Sequence, residues 1–138
     1  MPLNKMENRI QEVRRIAEAY FAAWSSQDPS QVAAFYELDG WLRVNDDPPA
    51  TGREAITELA KGFMLSFPDM KVVLDEVVAQ DEKAVCHWTW TGTNTGPGGT
   101  GRPVKISGFE VWQIGSKGLI ASSKGHFDAV EYHRQLGL

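Results

Sequence analysis

The stretch VKISGFEVWQI, residues 104–114, has the alternation of a β-strand that turns one face to a core. Its even-numbered positions form an apolar face interrupted by one carboxylate: Val104, Ile106, Gly108, Glu110, Trp112 and Ile114. Because successive side chains of a strand point to opposite faces, the pattern places Glu110 on the inner face beside Trp112. A carboxyl group in apolar surroundings has a raised pKa, so it can stay protonated and donate a hydrogen bond.

Runs of β-branched and aromatic residues on both sides of this stretch predict the rest of a sheet. They are KVVLDEVVA (71–79), AVCHWTWTG (84–92) and LIASSKGHF (119–127), with a shorter strand, GWLRV (40–44), before them. The separators QDEK, TNTGPGGTGRP and GSKG are typical of hairpin turns. We therefore expect an antiparallel sheet.

Helical periodicity precedes and follows the strands. The first helix has apolar residues at steps of three and four: Ile10, Val13, Ala17, Tyr20 and Trp24. The third has a similar face: Ile56, Leu59, Ala60, Phe63 and Phe67. A short second helix through VAAFYE (32–37) and a last one, AVEYHRQLG (129–137), complete the pattern. Three N-terminal helices against a curved sheet predict one α+β domain over residues 1–138.

Capping signals are expected at two of these helices. Asp28 has the position of an N-cap, Pro29 follows at the first helical position, and Gln31 can close a capping box. Thr51 and Glu54 form the same pattern before the third helix, which Pro68 ends.

Composition limits the classes of partner. The 138 residues carry a net charge of −4 with no basic run, which disfavours nucleic acid and anionic membranes. The single Cys86 allows no internal disulfide, and no spacing of His, Asp and Glu suggests a metal site. The glycine-rich GPGGTG lies between strands with no helix after it, so it predicts no phosphate-binding cofactor. Without a signal peptide or membrane span, a soluble cytoplasmic protein is expected.

The order of these segments resembles the SnoaL-like, polyketide cyclase-like branch of the nuclear-transport-factor-two-like superfamily. The resemblance is carried by AYFAAWSSQDPSQVAAFY, GWLRVNDDPPATGREAI, FPDMKV, TGTNTG…TGRPV, GFEVWQI…GLI and FDAVEYHRQLG. It implies a cone-shaped fold whose helices cover a strongly curved antiparallel or mixed sheet around an apolar pocket. It also implies a homodimer formed through the sheet.

Ketosteroid isomerase belongs to the same superfamily, and its oxyanion-hole residues have counterparts in this chain. The resemblance aligns Glu110 with the oxyanion-hole acid of ketosteroid isomerase and Tyr20 with the partner tyrosine of that enzyme. Its general base falls at Val44, with Asn45, Asp46 and Asp47 one to three residues away. Alternatively, Glu110 pairs with Arg43 or a lysine across the sheet and Tyr20 is a core residue.

The SnoaL-type cyclases give a second comparison, in which the acid/base aspartate falls at Gly125 and a supporting histidine at Trp112. The question is then whether His126 or Asp128 replaces the missing acid/base. Regular alternation turns Leu119, Ala121, Ser123, Gly125 and Phe127 inward and His126 outward. A bulge at Gly125 would instead turn His126 into the pocket. Asp128 also has the position of an N-cap for the last helix.

Three functions remain open for this pocket. The first is cofactor-free acid/base chemistry, such as isomerisation, cyclisation or dehydration, on a hydrophobic carbonyl compound. The second is non-catalytic binding of a ligand or protein, and a third alternative, epoxide hydrolysis, would use Arg43, Asp46 and Asp128. Residues that could contact the substrate are Trp24, Trp41, Arg43, Phe63, Trp88, Trp90 and Trp112.

Overall fold

A computed structural model describes residues 5–80 and 82–138, apart from the side chain of residue 6. The helices are α1 (Lys5–Trp24), α2 (Pro29–Ala33), α3 (Arg53–Ser66) and α4 (Ala129–Leu136). The strands are β1 (Tyr36–Val44), β2 (Ala50–Thr51), β3 (Lys71–Gln80), β4 (Lys83–Thr93), β5 (Pro103–Ile114) and β6 (Ile120–His126). The α+β class predicted from the sequence is confirmed.

The strands form one sheet in the order β2-β1-β6-β5-β4-β3. Strands β3 to β6 pair antiparallel in sequence order, as their hairpin separators predict. Strand β1, however, pairs parallel with β6, so the sheet is mixed and not purely antiparallel. The two strands are far apart in the chain, and no turn between them could signal this pairing in the sequence.

Helices α1 and α3 cover the inner face of the sheet because each has one apolar stripe. In α1 the side chains of Val13, Ala17, Tyr20 and Trp24 are buried, as the periodicity predicts. In α3 the buried residues are Ile56, Ala60 and Met64, and Phe67 follows as a buried C-cap. These stripes and the inner face of β5 form one hydrophobic core.

The start of β1 differs from the prediction. Helix α2 ends at Ala33, and Tyr36 already belongs to β1, so the helix predicted over VAAFYE is too long. Asp28 is the N-cap of α2, and its carboxylate accepts from the backbone N–H of Ser30. Gln31 does not close a capping box, because its Nε2 donates to the Asp28 carboxylate at 3.3 Å.

The capping box predicted for α3 is also absent. Thr51 lies in β2, and the N-cap of α3 is Gly52, which makes no side-chain capping bond. The φ angle of Gly52 is +87°, a left-handed conformation that glycine adopts without steric cost. The tight connection between β2 and α3 therefore favours a glycine at the cap over the threonine before it.

Strand β6 contains a bulge, but at Ala121 and not at Gly125. Ile114 pairs with Ile120 while Gln113 pairs with Ser122, so Ala121 is one extra residue in β6. Ile120 is consequently buried, against the prediction from simple alternation. After the bulge the predicted alternation holds, with Ser123 and Gly125 buried on the inner face.

In the described part of the chain, no helix is both long and apolar enough to cross a membrane.

Candidate functional site

A cavity lies between the inner face of the sheet and helices α1 and α3. Its volume is about 70 Å³. Its wall is aliphatic and aromatic apart from one carboxyl group. The lining residues are Phe21, Trp24, Leu42, Val44, Phe63, Met70, Val72, Trp88, Trp90, Glu110, Gly125 and Phe127. The cavity wall is thus almost entirely apolar, with a single ionisable group in it.

The carboxyl group in this wall belongs to Glu110, which β5 turns inward as its alternation predicts. Glu110 is 6% exposed. Its backbone neighbours across the sheet are Cys86 on β4 and Gly125 on β6. Because Gly125 has no side chain, the space beside the carboxyl group stays open to the cavity.

Three donors hold one oxygen of this carboxyl group. The Ser123 hydroxyl donates to Oε1 at 2.6 Å, the Tyr20 hydroxyl at 3.0 Å, and the Trp112 indole N–H at 3.2 Å. No hydrogen bond within the described residues reaches Oε2. The carboxyl group is thus fixed by one oxygen, and the other is available to a ligand.

The environment of Glu110 shifts its ionisation. Burial raises its pKa above the ordinary value, because desolvation penalises the charged form. The hydrogen bonds from Ser123, Trp112 and Tyr20 act in the opposite direction but do not cancel the effect. The alternative in which Glu110 pairs with Arg43 or a lysine is wrong, because no ion pair among the described residues involves Glu110.

A second buried tyrosine extends this network. The hydroxyl groups of Tyr20 and Tyr36 lie 2.7 Å apart, and both side chains are fully buried. The pKa of both tyrosines lies well above the ordinary value. Burial is the largest cause, and the charge of the nearby Glu110 is the second. Both hydroxyls therefore stay protonated, and Tyr20 can donate to Glu110 while accepting from Tyr36.

Aromatic rings form most of the opposite wall. Trp90 packs edge-on against Phe63 and Phe67, with ring centroids 5.7 and 4.9 Å apart. Phe127 packs against both Trp88 and Trp90 with centroids 6.3 Å away. Trp24, Phe63, Trp88 and Trp90 line the cavity, and their contact with a substrate stays a prediction.

Other residues predicted for the pocket lie elsewhere. Tyr20 and Trp112 are not in the cavity wall but stand behind Glu110, which they contact by hydrogen bonds. Trp41 and Arg43 point to the outer face, because Leu42 and Val44 take the inward positions of β1. The Arg43 side chain instead donates to the backbone carbonyl of Asn45 at 2.9 Å.

His126 and Asp128 are also outside the cavity. His126 lies on the outer face, where its ring stacks on Phe109 with centroids 4.9 Å apart. The strand is regular at Gly125, so the alternative in which a bulge turns His126 inward is wrong. Asp128 is the N-cap of α4, and its carboxylate accepts from the backbone N–H of Glu131 at 3.0 Å.

The arrangement required for epoxide hydrolysis does not form. Arg43 pairs at 3.6 Å with Asp46, whose side chain is fully exposed, and Asp128 is engaged as a cap. None of the three lines the cavity. Within residues 5–80 and 82–138, no group of three or more His, Cys, Asp or Glu side chains could hold a metal ion.

Two residues of the site were not identified from the sequence. Tyr36 was assigned to a helix, so its inward position at the start of β1 had no signal. Ser123 was correctly placed on the inner face, but a serine there predicts no specific partner. Its contact with Glu110 depends on the pairing of β5 with β6, in which Ser123 lies opposite Trp112.

Comparison with known proteins identifies the family. The sequence profile of the SnoaL-like polyketide cyclases matches residues 14–136, so the chain belongs to that family. No protein with curated functional information matches the sequence significantly.

Solved structures with low sequence identity share the fold. A hypothetical protein from Catenulispora acidiphila with a ketosteroid isomerase-like fold, in complex with trimethylamine, is 18% identical with a TM-score of 0.80. The match covers 89% of this chain and 92% of that protein. TsrD from Streptomyces laurentii is 22% identical with a TM-score of 0.79, and the match covers 99% of this chain and 98% of TsrD. TerC, co-crystallised with polyporic acid, is 15% identical with a TM-score of 0.78, and the match covers 92% of this chain and 99% of TerC.

Proposed function

We propose that the cavity binds a small hydrophobic carbonyl compound and that Glu110 transfers a proton on it without a cofactor. The supporting observation is the isolated carboxyl group, which is the one titratable residue among those that line the cavity. Acid/base groups work best when their pKa lies near the working pH. Burial raises the pKa of Glu110, which moves it toward neutral pH.

The simplest reaction for one such group is an isomerisation. Ionised Oε2 accepts a proton from the carbon beside the carbonyl, and the electron pair of the C–H bond forms a C=C bond as the carbonyl becomes an enolate. Protonated Glu110 then returns the proton to another carbon of the conjugated system, which moves the double bond and restores the carboxylate. Cyclisation and dehydration of a carbonyl compound can begin from the same enolate.

The residues around Glu110 support this role. The donors on Oε1 stabilise the charged form of the carboxyl group, while its burial stabilises the neutral form. The two effects oppose each other, and a group that accepts and returns a proton must pass through both forms. Fixing Oε1 also sets the direction in which Oε2 faces the ligand.

Non-catalytic ligand binding is the second candidate. Val44 and Gly125, where related enzymes have a base or an acid/base aspartate, both line this cavity without a titratable side chain. The complexes of two fold relatives with trimethylamine and polyporic acid support a small-molecule pocket here, whether or not turnover follows.

Hydrogen exchange on a simple ketone distinguishes the two candidates. We expect the protein to accelerate exchange of the α-hydrogens of cyclohexanone in D₂O, followed by proton NMR. Glu110→Gln should bind the ketone but slow exchange by about a hundredfold or more, because it cannot accept the proton. His126→Ala is the control, since His126 lies on the outer face and should leave the rate unchanged.

Binding of cyclohexanone without accelerated exchange would favour the non-catalytic function. Exchange that persists unchanged in Glu110→Gln would exclude Glu110 as the proton-transfer group.

A further inference from the structure

Three tryptophans in the cavity wall leave their indole N–H groups without a hydrogen-bond partner among the described residues. They are Trp24, Trp88 and Trp90, which are 8, 7 and 4% exposed. The large majority of buried polar side-chain atoms in proteins have a hydrogen-bond partner. Unpaired donors in the wall of a cavity therefore point to a ligand that carries a hydrogen-bond acceptor.

Two of these donors are less well placed than the third. The Trp24 N–H lies near the Tyr20 hydroxyl and slightly opposes the rise in its pKa, so it already has a polar neighbour. The Trp90 indole is packed among the rings of Phe63 and Phe67 and lies opposite Ile106 on β5.

Trp88 is oriented toward the strand that carries Glu110. It lies opposite Gly108, and a β-carbon there would be 2.7 Å from Cη2 and 2.8 Å from Cζ2 of its indole. These two atoms belong to the six-membered ring of the indole, in which Cζ2 is two bonds from Nε1. Gly108 and Glu110 are two positions apart, so they share the inner face of β5. The Trp88 ring thus reaches the inner face of the strand that carries Glu110, and both residues line the same cavity.

We propose that the Trp88 indole N–H donates a hydrogen bond to the carbonyl oxygen of the ligand. The inference rests on the proposed function and deepens it, because it assigns a donor to the oxygen that becomes negative when Glu110 removes the α-proton. A donor already in place where charge develops stabilises the enolate more than the ketone. The ligand class is then a compact ketone or enone whose oxygen approaches Trp88 and whose α-carbon approaches Glu110.

A pair of probes of nearly the same shape tests this recognition. Cyclohexanone carries the acceptor oxygen, and methylenecyclohexane replaces it with a CH₂ group. The five tryptophans give indole N–H signals in proton–nitrogen NMR spectra, and Trp→Phe variants assign them. We expect cyclohexanone, but not methylenecyclohexane, to shift the Trp88 proton downfield in the unmodified protein.

Dissociation constants give an independent measurement. Trp88→Phe should weaken cyclohexanone binding about fivefold more than methylenecyclohexane binding, which is the effect of one neutral hydrogen bond. Trp90→Phe should weaken both probes alike, because it removes wall area without removing the proposed donor. Trp41→Phe, on the outer face, should change neither.

Each outcome decides between the two proposals. If cyclohexanone binds but the Trp88 signal responds equally to both probes, the inference fails and the role of Glu110 stands. If the Trp88 signal is selective but no α-hydrogen exchange occurs, the recognition stands and catalysis fails. If cyclohexanone does not bind, the carbonyl ligand class is wrong and both proposals fall.

Discussion

The Glu110 carboxyl group is asymmetric in its contacts. One oxygen accepts from Ser123, Tyr20 and Trp112, whereas the other has no partner among the described residues. The protein thereby retains a buried carboxyl group at a cost in solvation that the donors only partly offset. Such a cost is typical of functional sites, where ionisation is adjusted to chemistry and not to stability.

The stability of the protein should depend on the ionisation of Glu110. Because its pKa is raised in the folded state, its contribution is fully present below the ordinary value of 4.5 and is lost as the pH rises through the folded pKa. We expect the unfolding free energy of the wild type, relative to that of Glu110→Gln, to fall as the pH rises from 4.5 through the folded pKa of Glu110. Each unit of pKa difference corresponds to about 1.4 kcal/mol.

Urea denaturation of both proteins at a series of pH values measures this difference, since the other carboxylates cancel. A difference that stays constant from pH 4 to pH 8 would show that burial does not shift the ionisation of Glu110.

The elements differ in how well local sequence determines them. The alternation of β5 correctly predicted the inward position of Glu110, and Asp128 was correctly predicted as a helix cap, because both depend on adjacent residues. The parallel pairing of β1 with β6 and the inward position of Tyr36 depend on distant segments. The bulge at Ala121 likewise follows from the pairing with β5, which no residue of β6 signals alone.

The cap of α4 gives a prediction at this scale. Asp128→Ala should destabilise the protein by about 1 kcal/mol, because the backbone N–H of Glu131 loses its acceptor. Thr51→Ala is a suitable control, since Thr51 was expected to cap α3 but makes no capping bond. Thermal or urea unfolding of the two variants should separate them. Equal losses of stability would contradict the assignment of Asp128 as the cap.

The whole molecule has two different sheet faces. The inner face holds the cavity, while the outer face presents partly exposed aromatic and apolar side chains. These include Trp41, Val85, His87, Phe109, Val111 and His126. His87 and His126 flank Phe109, with ring centroids 5.7 and 4.9 Å away, so the centre of this face is a continuous aromatic surface.

We expect two copies of the chain to associate through this outer face. A symmetric dimer would cover the aromatic surface, and a stable interface would bury roughly 1,200 Å² or more. Phe109→Glu should give a monomer, because it places a charge at the centre of the surface. Leu65→Glu, at an exposed position of α3 on the other side, should leave the dimer intact. Sedimentation showing only monomer for the wild type at micromolar concentration would contradict this assembly.

The open space at Gly125 has a consequence for the evolution of the site. A β-carbon there would lie 3.7 Å from Cγ of Glu110 and 3.6 Å from the backbone oxygen of Arg43, which are ordinary contacts. Glycine and aspartate codons can differ by a single base, and aspartate is the residue that the cyclase resemblance places at this position. A Gly125→Asp substitution would therefore add a second carboxyl group beside Glu110 without a steric clash at its β-carbon.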